Sequence, residues 1–405
     1  MSIVTSAPST QRGLTHSAFV RPSLPELAGP EGILYDFNYG CRVQVPVDGW
    51  RVRMVDLDTF SQVFDERVEA NSIVTSRRKY FVRFELQVFD RERLVFHHAY
   101  DARGRHVLIH PSGTALGDTL AWMPAVEAFR LQEQCEVHVV LPAHLQALFV
   151  KGYPAIRFVS SESADSLDEP FYATYHLGFF SPYTDRDHQP TDPRMSSLQD
   201  AAAYLLGVPC EERRPNIVVA ESARRVAERY VCIATQSTAQ CKYWNNPRGW
   251  TVLIAHLKSR GYRVLCIDQH REFGGDGVIN TMPEGCEDFT GNHPLEERAS
   301  LLKHADFFVG LGSGLSWLAW AMGTPVVMIS GFSHPHTEFR TPYRVINFHA
   351  CNSCFNDTTC DFDDRDFLWC PRRRDTPGRF QCSTAISPEQ VIAQVERLIV
   401  DHGLV

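Results

Sequence analysis

The chain has 405 residues, 22% of them charged and 44% hydrophobic, with a formal net charge of −8 at pH 7. That length accommodates roughly two or three domains with ordinary cores, and the composition is that of a folded globular protein rather than a disordered one. The acidic balance excludes a surface built chiefly to grip nucleic acid, and no basic stripe with interleaved aromatics occurs.

The N-terminal run MSIVTSAPSTQRGL lacks a charged segment followed by an apolar one, so no secretory leader is expected and a cytoplasmic location is. Residues 1–30, rich in Ser, Pro and Gly, read as a loose tail. Over 31–104 the period is two, in RVQVPV, WRVRMVDLD, KYFVRFELQVFD and RLVFHHAY. This predicts a small all-β, barrel-like domain. From 105 the pattern becomes strand alternating with helix, the signature of α/β architecture. HVLIH, a helix from Thr119 to about Gln132, EVHVVLP and a helix from Ala143 belong to a first lobe, 105–228. YVCIAT, WTVLIAHLKSRG, YRVLCID, PLEERASLLKHA, FFVGL, LSWLAWAMG and PVVMIS make a second, 229–349. Gly261 and Gly323 fall where helices close on a left-handed residue. Residues 350–383 lose periodicity in favour of Cys, Asp and Arg. A last helix in 384–405 opens on Ser387 with Pro388 behind it. The uncharged stretch 307–332 is long enough to span a bilayer. Its GLGSG, Gly323 and Pro325 divide it into strand, helix and strand, so no membrane span is expected.

Two strand–glycine turn–helix units, one per lobe, suit a phosphorylated ligand, because helix N-termini carry unpaired N–H groups and a positive dipole end. In the first, HPSGTALGDTLAW, Asp118 is either a helix N-cap or a general base at the ligand edge of the sheet. In the second, Ser313, Gly314, Leu315 and Ser316 either pack a tight connection or seat a pyrophosphate. GxGxxG and Walker patterns are both absent. Lys242, in the polar loop TQSTAQCKYWNN, is either a solvated lysine or a point charge for a diphosphate leaving group.

Five of the 12 cysteines crowd between 351 and 382. Cys351-x2-Cys354 has knuckle spacing, and Cys370 and Cys382 complete a four-thiolate set for a structural metal. Spacing alone makes zinc the default, with free thiols or disulfides the alternative. Cys360 reads as a bystander, and the other seven as small buried hydrophobes.

The stretches YDFNYG, TSRRKYFVRFELQVF, GTALGDTLAW, YVCIATQSTAQCKYWNN, EDFTG, GLGSGLSWLAWAMGTPVVMISGF and CNSC…DFLWCPRR…QC resemble one family over about residues 33–383. It is the bacterial autotransporter heptosyltransferases, relatives of the lipopolysaccharide heptosyltransferases of glycosyltransferase family 9, with the two-lobed GT-B fold. The resemblance implies inverting transfer of heptose from ADP-heptose to serine hydroxyls on an adhesin's passenger domain. Asp118 then maps onto the base of the G-D turn, and Thr114, Leu116 and Gly117 line substrate beside it. Lys242, Thr235 and Gln236 map onto the donor-phosphate loop, and Gly312, Ser313, Gly314, Leu315 and Ser316 onto the pyrophosphate turn. Thr290 maps near the nucleotide. The resemblance further implies structural iron on the four cysteines, no divalent cation in catalysis, and a homo-oligomer, a dodecamer in the family. Competing expectations are transfer to lipopolysaccharide or another oligosaccharide, and a non-catalytic assembly module for secreted adhesins.

Overall fold

A computed structural model describes residues 23–113, 115–164, 170–219 and 224–404. The first lobe is built on a parallel sheet ordered Arg157–Val159, Glu136–Val140, His106–Pro111, Ala173–Leu177. Val107 and Ile109 point into the main core while Leu108 joins Val140, Val159 and Phe171 on the opposite face. A strand buried on both faces needs such a continuous apolar run. Strand order reverses between His106–Pro111 and Ala173–Leu177, so their C-terminal ends, Pro111 and Leu177, flank a ligand crevice. The helix Leu116–Glu133 leaves from that edge, burying Leu120, Met123, Val126 and Phe129.

The expected all-β domain is not a self-closed barrel. Arg51–Asp56, Ser61–Arg67, Phe84–Asp90 and Arg93–Ala99 form an open four-stranded antiparallel sheet. Its alternation is as expected, with Val52 and Met54 inward and Arg51 and Arg53 outward. The strand Leu34–Asn38 instead joins the first lobe, pairing parallel with Ala173–Leu177 on one edge and antiparallel with Arg42–Gln44 on the other. With both edges taken, it has no backbone groups left to close a barrel. The end of the expected tail is also tied down: Leu27 and Ala28 pair with Tyr35 and Leu34. Residues 1–22 lie outside the described residues.

The second lobe is a parallel sheet ordered Glu287–Asp288, Arg263–Cys266, Tyr230–Ile233, Phe308–Leu311, Val326–Ile329, Arg344–Val345. By chain position that order is 3-2-1-4-5-6, the dinucleotide-fold arrangement, with its switch point between Tyr230–Ile233 and Phe308–Leu311. Gly261 (φ +84°) and Gly323 (φ +82°) close the helices Gly249–Ser259 and Gly314–Ala321 as expected. The last helix, Pro388–Asp401, starts with a reciprocal Ser387–Gln390 capping box and buries Val391, Val395, Leu398 and Ile399 against this lobe. The uncharged stretch resolves into strand, helix and strand, and among the described residues no helix is long and apolar enough to cross a membrane.

Candidate active site

Asp118 is the third residue of its helix. The N-cap is Ala115, which offers no side-chain cap. The capping role is therefore not the one Asp118 plays, and its carboxylate makes no hydrogen bond or ion pair among the described residues. Burial pushes its pKa up to about 6, and the nearby Lys242 ammonium pulls the other way. A carboxyl group poised near neutrality at a ligand edge has the properties of a general base. Thr114 falls outside the described residues.

The two lobes touch at this point. A Cβ on Gly117 would stand 3.3 Å from Trp317 Cδ1 and 3.5 Å from Gly314 Cα. A Cβ on Gly314 would stand 2.9 Å from Leu116 Cβ. Glycine is thus required by the approach of two helix starts, one per lobe. Gly314→Ala should strengthen an isolated helix slightly, but here it wedges the lobes apart. Because a displacement near 1 Å can cost about 10²-fold in rate, turnover should fall steeply while the melting temperature holds, which steady-state kinetics beside calorimetry would check.

The second-lobe helix begins at Gly314 with Ser313 as N-cap, and the Ser313 side chain caps no N–H. The N–H groups of Gly314 and Leu315 precede the first intrahelical bonds, which Ser316 and Trp317 donate to the Ser313 carbonyl. They and the Ser313 hydroxyl are the donors free to meet a diphosphate. Ser316 is not among them: it is fully buried and its hydroxyl donates to the Leu311 carbonyl. Gly312 is demanded by Glu338, whose Oε1 lies 2.2 Å from where a Cβ would stand. That buried carboxylate accepts from the Ser333 hydroxyl and from Arg344.

Lys242 ends the short helix Gln240–Lys242, at the C-terminal edge of Tyr230–Ile233. Its Nζ rests 5.0 Å from the centre of the Phe332 ring and 5.5 Å from that of Phe362. Two ring faces restrain the ammonium without neutralising it. Thr235 carries its hydroxyl and its N–H inward to Asp268 Oδ2, both at 2.8 Å, and the Gln236 N–H reaches Asp268 Oδ1 at 3.2 Å. Thr235 therefore shapes the loop through Asp268 rather than offering its hydroxyl to a ligand. The Gln236 Nε2 is buried and has no hydrogen-bond partner among the described residues. The Thr290 hydroxyl donates to Asp288 Oδ1 at 2.6 Å. Thr290 follows the strand Glu287–Asp288, which lies two places from Tyr230–Ile233, about 10 Å at the usual strand spacing, and this suits the far end of a nucleotide.

Asp268 was not legible as a site residue, nor was Arg298, which is buried and donates to the carbonyls of Ile267, Asp268 and Gly291. Both stand in ordinary-looking sequence: Arg298 acts through backbone carbonyls, and Asp268 through two backbone N–H groups and the Thr235 hydroxyl.

Cys351, Cys354, Cys370 and Cys382 line one small cavity, and Cys241, read from sequence as a scattered hydrophobe, lines it with them. The four expected ligands converge in space. Yet among the described residues no group of three or more His, Cys, Asp or Glu is gathered closely enough to hold a metal ion. The expected metal site is therefore not displayed as a formed one. Cys360 stands aside, its Sγ 3.7 Å from Asp357 Oδ2.

A family model described as glycosyltransferase TibC, N-terminal domain, matches residues 29–92, and one described as glycosyltransferase family 9 (heptosyltransferase) matches 175–360. An autotransporter heptosyltransferase of Citrobacter rodentium is 46% identical over 391 residues, 96% of this chain and 94% of the relative. The chain belongs to the autotransporter heptosyltransferase family. It is a glycosyltransferase of that family in fold and sequence. The crystal structure of TibC from enterotoxigenic E. coli, an iron-containing dodecameric glycosyltransferase, superposes with a TM-score of 0.90 at 44% identity, covering 94% of this chain and 99% of that one. TibC has also been crystallised with ADP-D-β-D-heptose. E. coli ADP-heptose lipopolysaccharide heptosyltransferase II shares the fold alone, with a TM-score of 0.51 at 14% identity over 74% of this chain and 99% of that one. An inactive autotransporter heptosyltransferase of Burkholderia thailandensis is 41% identical over 385 residues, 95% of this chain and 90% of the relative. With such a relative in the family, the case for turnover rests on this chain's own cleft.

Proposed function

We propose that this protein moves heptose from ADP-heptose to serine hydroxyls of an autotransporter passenger domain, with inversion at the anomeric carbon. One arrangement supports the reading: Asp118, raised toward neutrality by burial and within reach of the Lys242 charge, lies on the helix whose start abuts the uncapped start of the Gly314–Ala321 helix. In this mechanism the serine Oγ attacks the anomeric carbon and its proton passes to Asp118. The bond from that carbon to the β-phosphate oxygen breaks, and ADP leaves with the electron pair. Lys242, the N–H groups of Gly314 and Leu315 and the Ser313 hydroxyl take up the developing charge, so no divalent cation is needed. Leu116, Gly117, Gln236 and Gly312 border the donor in this reading, and Thr290 lies toward the adenosine.

Intact mass of a passenger domain co-expressed with this protein tests the proposal. Heptose-sized increments that map to serine support it. Modification of lipopolysaccharide or an oligosaccharide instead would move the acceptor, and donor consumption no faster than without the protein would remove the activity.

The chemistry of the cavity, five cysteines with no carboxylate among its lining, supports a structural iron held by Cys351, Cys354, Cys370 and Cys382, with zinc the alternative. Such a closed set takes no part in transfer and supplies rigidity. Assembly into a large homo-oligomer is supported by exposed apolar side chains of the N-terminal β region: Phe60 at 84% in the turn before Ser61–Arg67, and Val63 at 40% and Leu94 at 49% on the two edge strands of the four-stranded sheet. Cys370→Ser should lose the metal and break the assembly while ADP still binds. Metal analysis, a sizing column and calorimetry read the three effects, and full metal retention would discard the ligand set.

A further inference from the structure

The cysteine-rich segment touches both lobes, and each contact leads to one of the two reacting groups. One turn along the helix from Asp118, Trp122 meets Phe179 edge-on at 6.1 Å between ring centres. Phe179 packs on Phe355 of the cysteine segment at 6.2 Å, and Phe355 on Phe332 at 5.4 Å. Phe332 is the ring beneath Lys242. Phe362 and Trp369, from the same segment, brace Phe332 at 5.0 and 5.9 Å. The backbone is tied as well: the Gln240 N–H donates to the Phe367 carbonyl at 2.8 Å.

A second contact runs in parallel. Arg194, in the short 3-10 helix Pro193–Met195 of the first lobe, is only 2% exposed. Asp192 holds its Nε at 2.9 Å and its Nη2 at 2.7 Å. Nη1 enters the cysteine segment, donating to the carbonyls of Thr358 at 3.2 Å and Cys360 at 3.0 Å and to Asp361 Oδ1 at 3.2 Å. The Arg194 carbonyl in turn accepts from Asn356 Nδ2 at 2.7 Å. A buried guanidinium is tolerated only while its donors are met. These are met at one separation of the lobes and lost when the lobes part.

We infer that the cysteine segment is a spacer between the lobes that sets the distance from Asp118 to Lys242, with Arg194 and Phe355 as its positioning residues. The inference rests on the proposed transfer reaction. Rings in contact resist compression because packed interiors yield little, while the Arg194 bonds resist opening. Between them the cleft has one preferred width. Neither residue touches substrate in this account: each acts through the placement of Asp118 and Lys242.

Width matters to a transferase because water competes with the acceptor hydroxyl for the activated sugar. The test therefore compares two products of the full-length protein, heptose transferred to passenger and ADP released without transfer. Arg194→Met and Phe355→Leu should lower transfer by about tenfold or more, as expected for a misplaced reacting pair, with the ADP-heptose KM little changed. ADP released per heptose transferred should rise severalfold. Arg194→Lys keeps the charge but cannot serve Asp192 and three acceptors together, so it should fall between wild type and Arg194→Met. Small-angle scattering in ADP gives a readout independent of turnover, in which Arg194→Met should be more extended than wild type. Parallel loss of transfer and release with weakened donor binding would mark general damage and overturn the spacer. So would wild-type partition and wild-type scattering. Phe355→Leu, a mild change, keeps the test decisive if Arg194→Met fails to fold. Should the wild type itself transfer nothing to passenger, the functional reading fails, and scattering still decides the spacer.

Discussion

Asp118→Asn is expected to lower heptose transfer by about 10²–10⁴-fold, the usual contribution of a positioned general base, while ADP-heptose still binds. Asparagine keeps the shape and removes only the ability to take a proton. The wild-type pH profile carries the same signature. A base works when deprotonated, and burial has raised Asp118 from 3.8 to about 6, so kcat/KM should climb as pH passes through about 6. The asparagine variant should lose that limb. Stability runs the other way. A carboxyl group whose folded pKa lies above its unfolded one favours the fold below about 4, and that contribution fades as pH rises through 6. At pH 7 the asparagine variant should therefore melt no lower than the wild type. A residual limb near pH 6, or a drop in melting temperature matching the lost activity, would assign Asp118 to structure. Rates against pH and calorimetry decide between the two.

The two turns were legible because their signals are local. A strand, a glycine-flexed turn and a helix follow within a few residues, and the glycines that close helices carry a conformation other residues resist. What escaped depends on distance along the chain. The parallel pairing of Ala173 with Phe37 leaves no mark on the alternation of Leu34–Asn38, which reads as one more strand of a β module. Asp268 looks like any residue ending a strand, and its importance appears only when Thr235 and Gln236 turn toward it. Thr235 and Ser316 show the reverse. A hydroxyl in a glycine-rich loop suggests a ligand, yet buried hydroxyls must find acceptors, and these found Asp268 and the Leu311 carbonyl. The spacing of the cysteine segment suggested a ligand set but gave no sign of its contacts with the first lobe, because Arg194 and Phe179 belong to distant parts of the sequence. For Asp118 a single fact removed the N-cap alternative: the helix starts at Leu116, two residues before it, with Ala115 at the N-cap position.

Lys242→Gln is expected to show two effects that a solvated loop lysine could not produce together. The first is on rate. In the proposed reaction departure of ADP concentrates negative charge on the β-phosphate, with the ammonium and the Gly314 helix start as the donors that would meet it. Removing one such preorganised donor typically costs about 10²–10³-fold in kcat. The second is on the acid limb. Lys242 is the charge that pulls Asp118 down against the push of burial. Without it the carboxyl group should hold its proton to higher pH, so the limb moves up from about 6. Lys242→Arg separates the two. Its charge should hold the limb near the wild-type position. The planar guanidinium, seated over Phe332 and Phe362, cannot reproduce a compact point charge at the phosphate, so kcat should stay low. A Gln variant with reduced kcat and an unmoved limb would keep Lys242 at the phosphate but break its link to Asp118. A moved limb with unchanged kcat would do the opposite, and the leaving group would then depend on the helix start alone.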